Sequence, residues 1–125
     1  MKKTVVIIVL VAMLVGLYGT VALARYIYID QVSASLAIVG GNATARGTIY
    51  AFDPNTITMK IELERKLTSG GSWSVYDNWN FSAPNTTYYT DSGGCSVTSG
   101  YTYRTKVTGT VRGENAVAYS SEKIY

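Results

Sequence analysis

Residues Ile57–Leu67 read ITMKIELERKL. Ile57, Met59, Ile61, Leu63 and, after Arg65, Leu67 fall on one side of an alternation. Thr58, Lys60, Glu62, Glu64 and Lys66 fall on the other. A strand sends successive side chains to opposite faces, so this is the pattern of a half-buried antiparallel strand, apolar inward and charged outward. Further along, SGYTYRTKVTGTV (Ser99–Val111) repeats it. Tyr101, Tyr103, Thr105, Val107 and Val111 share one phase, and Thr102, Arg104, Lys106, Thr108 and Thr110 the other.

The rest of the chain divides at turn signals. Val32, Ala34, Leu36 and Ile38 alternate with polar residues and end at Gly40-Gly41-Asn42. Asn42 to Phe52 reads as a second strand, weakened by Gly47, and Asp53-Pro54-Asn55 as a turn, because Pro presets φ while Asp and Asn cap turns. TSGGS (68–72) closes a hairpin onto a strand carrying Trp73, Val75, Trp79 and Phe81. Asp77 breaks that phase, so a bulge is expected near Asp77-Asn78. Ala83-Pro84-Asn85 is another turn, followed by a short Tyr- and Thr-rich strand from Thr86 to Thr90 that Cys95 to Thr98 resumes past Gly93-Gly94. Val117, Tyr119 and Ile124 make a last strand. This amounts to about seven strands in about a hundred residues, the spacing of an all-β, Ig-like or fibronectin-like antiparallel sandwich. In such a fold Tyr101 is expected as a corner tyrosine whose hydroxyl bonds back to the preceding loop, with Tyr103 filling the core.

The first residues address the chain. Met1-Lys2-Lys3 precedes a run from Thr4 to Ala24 without a charge, ending in Ala22-Leu23-Ala24 before Arg25. That is the layout of a secretory signal, which makes 1–24 the leader and 25–125 the domain. The run is also long enough to span a bilayer, which takes about 20 residues, so an uncleaved anchor in the membrane is the alternative. Either way the domain lies outside the cytoplasm. Removing Lys2 and Lys3 from the 11 basic residues leaves nine against 8 acidic ones, a balance that gives no support for a nucleic-acid partner.

Chemistry is thinly supplied. The chain has no His and one Cys, so neither a Ser-His-Asp nor a Cys-His arrangement exists and an internal disulfide is impossible. Cys95, beside Gly93-Gly94, reads as a half-buried strand residue. Its alternatives are an intermolecular bridge or a reactive thiol. Asp30, Asp53, Asp77 and Asp91 lie on scattered turns without calcium-loop spacing, and no metal or cofactor is expected. Glu62 and Glu64 share a face roughly 7 Å apart, a separation that would suit a glycoside hydrolase. The favoured reading is structural: Arg104 and Lys106 on a neighbouring strand would face them, each cross-strand pair contributing about 0.2–1 kcal/mol. The aromatic supply, 11 Tyr and 2 Trp, suits stacking on sugar rings or packing on proteins. Trp79, in YDNWNF, and Tyr88 and Tyr89 are the candidate ligand-binding residues; one of Trp73 and Trp79 is expected in the core, and one of the two adjacent tyrosines must face outward.

IELERKLTSGGSWSVYDNWN, GYTYRTKV and GENAVAYSSEKI together resemble small secreted proteins of Gram-positive bacteria that carry a domain of unknown function. The matching positions are Leu63, Arg65, Trp73, Trp79, Gly100, Tyr103, Arg104 and Glu114. The resemblance implies a sandwich fold and an exported protein, and no activity. The reading that follows is a non-catalytic exported module that binds a glycan or a protein surface. A structural or self-assembling envelope subunit is the alternative.

Overall fold

A computed structural model describes residues 26–125, so the expected leader, 1–24, lies outside the described residues. Within them the chain forms β1 (Ile29–Val39), β2 (Asn42–Leu67), β3 (Ser74–Ser96), β4 (Tyr101–Val111), β5 (Glu114–Tyr119) and β6 (Lys123–Ile124). The alternating stretch Ile57–Leu67 is the second half of β2. All pairings are antiparallel and belong to one six-stranded sheet. The hydrogen bonding therefore defines a single folded sheet rather than the two separate sheets of an Ig-like sandwich.

Six strands replace the expected seven because two turns are bends. Asp53-Pro54-Asn55 and Ala83-Pro84-Asn85 lie side by side in the β2–β3 pair, between Tyr50↔Tyr88 and Ile57↔Ala83, with only Asn55↔Thr86 paired between them. Both strands turn at the same place and pairing resumes beyond it. β3 follows one edge of β2 along its length. The other edge takes β1 as far as Ala51 and β4 from Ile57 onward. Pro54 falls in the gap between those partners, where a missing N–H costs the ladder nothing. Thr86 to Ser96 is accordingly part of β3, while the expected last strand splits into β5 and β6. At the split, Ser120 keeps the pairing going: its Oγ accepts a bond from Thr105 N at 2.8 Å.

The bend lays the first half of the sheet (β1, the start of β2 and the end of β3) over the second. Two glycines mark the contact. A Cβ on Gly47 would lie 2.7 Å from Met59 Sδ and 2.9 Å from Val107; one on Gly109 would lie 2.7 Å from Ile49 and 3.3 Å from Val32. Gly47 is thus a site of close approach rather than a weak point. The inward phase runs through the bend unchanged, from Ala43, Ala45 and Ile49 to Ile57, Met59, Ile61 and Leu63, all buried. Ile29, Val107, Val111 and Ala116 complete the main cluster, and Leu36, Ala43, Leu63 and Tyr103 form a second. In the last strand Ala116 is the inward residue, and Val117, Tyr119 and Ile124 are exposed.

Two local expectations move by a residue or two. The bulge in β3 falls at Tyr76: the register steps from Leu63↔Asp77 to Glu64↔Val75, which turns Val75 outward and Tyr76 inward against Tyr103, 5.9 Å between ring centroids. The corner tyrosine is Tyr103, not Tyr101. Its hydroxyl accepts from Thr98 N and donates to Thr98 O, both at 2.9 Å. Tyr101 instead stacks on Arg65, whose guanidinium sits 3.9 Å from the Tyr101 ring and 4.2 Å from Tyr76.

Candidate functional site

The outward face of the second half is a paired surface. Glu64 Oε1 accepts a bond from Arg104 Nε at 2.8 Å, and Glu62 meets Lys60 at 3.6 Å and Lys106 at 3.9 Å. The register Glu62↔Lys106 and Glu64↔Arg104 is the cross-strand arrangement the alternation implied. Arg104 also lies between two rings, 4.1 Å from Trp73 and 4.4 Å from Tyr119, while Lys66 sits 5.0 Å from Trp73. Both carboxylates are held by cations here, whereas a hydrolase pair needs one carboxyl protonated and the other free to reach a sugar.

The outward face of the first half is different in kind. Tyr50 and Tyr88 are cross-strand partners with ring centroids 5.0 Å apart and planes tilted by 50°. They are 40% and 47% exposed, and Phe52, two residues beyond Tyr50, is 55% exposed. The floor is hydroxylic: Thr48 and Thr90 share a 3.0 Å hydrogen bond, and Thr90 Oγ1 donates to Gly47 O. Thr86 braces Tyr88, its Oγ1 donating to Tyr88 O and accepting from Tyr88 N, just after Asn85 with φ 49°. Among the described residues no cation stacks on Tyr50, Phe52 or Tyr88.

The three aromatics singled out from sequence do not share one surface. Trp79 is half-buried on the inner side, between both core clusters, where a Cβ on Gly93 would collide with its ring. Tyr89 also packs inward, and its hydroxyl donates to Asp91 Oδ2 at 2.8 Å. Burial, and after it the bond and the negative charge of Asp91, push the Tyr89 hydroxyl pKa up. Tyr88 alone faces outward. Its neighbours Tyr50 and Phe52 are not among the residues the sequence singles out, although both carry the outward phase of Arg46 and Thr48 within the expected strand Asn42 to Phe52.

Burial also pushes the Cys95 thiol pKa up, with the charge and hydrogen bond of Asp77 adding to it. A raised pKa disfavours the thiolate, the form in which cysteine reacts. Glu114 is the most committed carboxylate. It accepts from Ile27 N at 2.7 Å, Tyr28 N at 2.9 Å and Ile29 N at 2.8 Å. Desolvation alone would raise its pKa; the three backbone donors outweigh that and hold it below the ordinary value. Arg112 lies 5.1 Å over Tyr28, so the start of β5 grips the lead-in to β1. Among the described residues no three acidic or cysteine side chains converge as a metal site would require, and no helix is long and apolar enough to cross a membrane.

No family model and no curated protein matches the chain. Among solved structures, the solution structure of R. palustris CsgH is similar with a TM-score of 0.47 and 18% sequence identity, covering 71% of this chain and 88% of that chain.

Proposed function

We propose that this is an exported, non-catalytic interaction module with a sandwich-like body, and that it meets a protein partner on the face formed by Tyr50, Phe52 and Tyr88. The observation that carries the reading is the set of three exposed rings, on the first half of β2 and its β3 partner, on which no cation stacks among the described residues, while the charges on the other outward half of β2 have partners. Tyrosine and other large rings dominate the energetics of protein contacts. A sugar ring stacks best on a flat platform, and the 50° tilt between Tyr50 and Tyr88 does not offer one, which favours a protein over a glycan. Export rests on the Lys-Lys start, the uncharged run to Ala24 and the resemblance to small secreted Gram-positive proteins. The released form is expected to begin at Arg25, as mass spectrometry of the medium would read.

The test is site-specific photocrosslinking in the producing culture. A photoreactive phenylalanine analogue at position 88 should yield a defined protein adduct, lost when Tyr50→Ser is added. Retention of polysaccharide alone, or an adduct indifferent to Tyr50, would overturn the reading.

A further inference from the structure

Among the described residues the sheet ends in strands with an unpaired edge, and these edges are not protected alike. β3 carries Asp77, Asp91, Pro84 and the Tyr76 bulge. β5 is short, 6 residues, and begins with Glu114. β1, from Gln31 to Val39, reads QVSASLAIV: no charge, no proline and no register shift. Charges, prolines, bulges and short length are the means by which folded proteins keep an open edge from pairing. β1 has none of them over nine residues.

The turn after β1 shows which backbone groups are open. Gly40 and Gly41 have φ of 58° and 79°, the two-residue turn that closes a hairpin on a hydrogen-bonded pair, here Val39↔Asn42. Hydrogen-bonded and non-bonded pairs alternate along an antiparallel ladder. Gln31, Ser33, Ser35 and Ala37 therefore bond to β2, while the N–H and C=O groups of Val32, Ala34, Leu36 and Ile38 point to the free edge.

We propose that two copies of this chain pair through β1, antiparallel about a two-fold axis at Ser35. In that register Val32 meets Ile38 of the partner subunit and Ala34 meets Leu36 of the partner subunit, so every open edge group finds a reciprocal partner. On the outer face Ser35 meets the partner's Ser35, and Ser33 meets the partner's Ala37; no like charges oppose each other. The equivalent two-fold pairing of β3 about Pro84 would set Asp77 against the partner's Asp91. The choice of a second copy rests on this self-complementarity. A two-fold contact also uses up β1 on both copies and leaves only guarded edges, so assembly stops at the dimer. This contact is independent of the aromatic face.

Cysteine pairing tests it, in a Cys95→Ser background. Ser35 facing its symmetry mate is a non-hydrogen-bonded pair, with Cα atoms about 4.5 Å apart, inside the range a disulfide spans. Mild oxidation should link Ser35→Cys into a covalent dimer and leave Ser33→Cys alone unlinked; a mixture of Ser33→Cys and Ala37→Cys should cross-link. Ala34→Pro removes an N–H that only the dimer uses, and should raise the dissociation constant about tenfold or more in sedimentation equilibrium. Should that variant fail to fold, Ser35→Lys, on an exposed position, opposes two ammonium groups and should shift the equilibrium toward monomer. Monomeric sedimentation of the native chain at its highest soluble concentration, or equal self-linking of Ser33→Cys and Ser35→Cys, would overturn the proposal.

Discussion

The two outward halves of β2 lie on one continuous strand and solve the same problem in opposite ways. From Thr58 to Lys66 the exposed phase is charged, and its charges are consumed internally: Glu62 by Lys60 and Lys106, Glu64 by Arg104, and Arg104 again by Trp73 and Tyr119. From Thr44 to Tyr50 the exposed phase holds two threonines, Arg46 and Tyr50, and among the described residues the Tyr50 and Tyr88 rings contact each other and no cation. A face whose donors and rings already have partners has little left for a ligand, and its composition reports on stability. A face with unsatisfied aromatic area is where composition can report on binding. The two halves share an inner face, so substitutions can separate what each outer face contributes.

The largest effect is expected where neither outer face is involved. Ile61 is fully buried between Trp79 and Val107. Ile61→Asp forces a carboxylate into that contact at a cost of several kcal/mol, against a total stability of about 5–15 kcal/mol. Urea melts should find it unfolded, while Glu62→Ala, one position away and outward, should stay within about 1 kcal/mol of the parent. Equal effects would mean the strand phase is inverted and the comparison of faces void. Next comes the corner. Tyr103→Ala should cost about 3–5 kcal/mol, and Tyr103→Phe about 0.5–1.5 kcal/mol for the hydroxyl that closes on Thr98. Tyr101→Phe should leave the melt unchanged, which would separate the corner residue from its neighbour.

On the paired face, Arg104→Ala removes the bond to Glu64 and two ring contacts at once. Arg104 and Glu64 side chains are only 23% and 12% exposed, so screening is partial, and the loss should be about 1–3 kcal/mol. A double-mutant cycle with Glu64→Gln should show positive coupling. Additivity would mean that this face is ordinary solvated charge, as open to a ligand as the Tyr50 face.

The sequence disclosed phase better than extent. Alternation from Ile57 to Leu67 and from Tyr101 to Val111 placed the inner and outer residues, and even the pairing of Glu62 and Glu64 with Lys106 and Arg104, because period two is a local property and charge complementarity is its cross-strand echo. Strand ends were read wrongly at Pro54 and Pro84, since whether a proline ends a strand or bends it depends on what lies across the ladder, and here the two bends coincide. The hydroxyl bond of Tyr103 was assigned to Tyr101 because a Gly-Tyr step carries no record of which ring reaches the loop. The site was the least legible part. Trp79 in YDNWNF looks like a platform, yet the space that holds it is made by Gly93, fourteen residues on and across the fold. Tyr50 and Phe52 fall on the outward phase of the expected strand Asn42 to Phe52, but nothing local to that strand shows that Tyr88 lies across the ladder from Tyr50.

Acid should act on the grip at the lead-in to β1. Glu114 has a folded pKa below its ordinary value of 4.5. A depressed carboxyl contributes stability that is complete above the unfolded pKa and disappears as pH falls through the folded one. Urea midpoints measured between about pH 3 and pH 6 should therefore fall on acidification for the native chain, and Glu114→Gln should flatten the slope so that the two curves converge at the acid end. Curves that stay parallel would show that the three backbone bonds from Ile27, Tyr28 and Ile29 contribute nothing to folding.

The smallest expected change in stability belongs to the open face. Among the described residues the Tyr88 ring pairs only with Tyr50, and its backbone brace comes from Thr86, not from its own ring. Tyr88→Ser and Tyr50→Ser each expose no core and leave no buried group unpaired, so each should change the urea midpoint by no more than about 0.5 kcal/mol equivalent, the range of ordinary surface substitutions. Replacing both should cost less than the sum of the two by their one tilted ring contact, which each single change already removes and which is therefore at the low end of the range, about 0.5 kcal/mol. Loss of the position-88 adduct when Tyr50→Ser is added, with the Tyr50→Ser melt unchanged, would place recognition on this face. A destabilisation comparable to that of Arg104→Ala would instead make the rings a structural clasp over the Pro54 and Pro84 bends, and the two faces of β2 would then differ in chemistry but not in purpose.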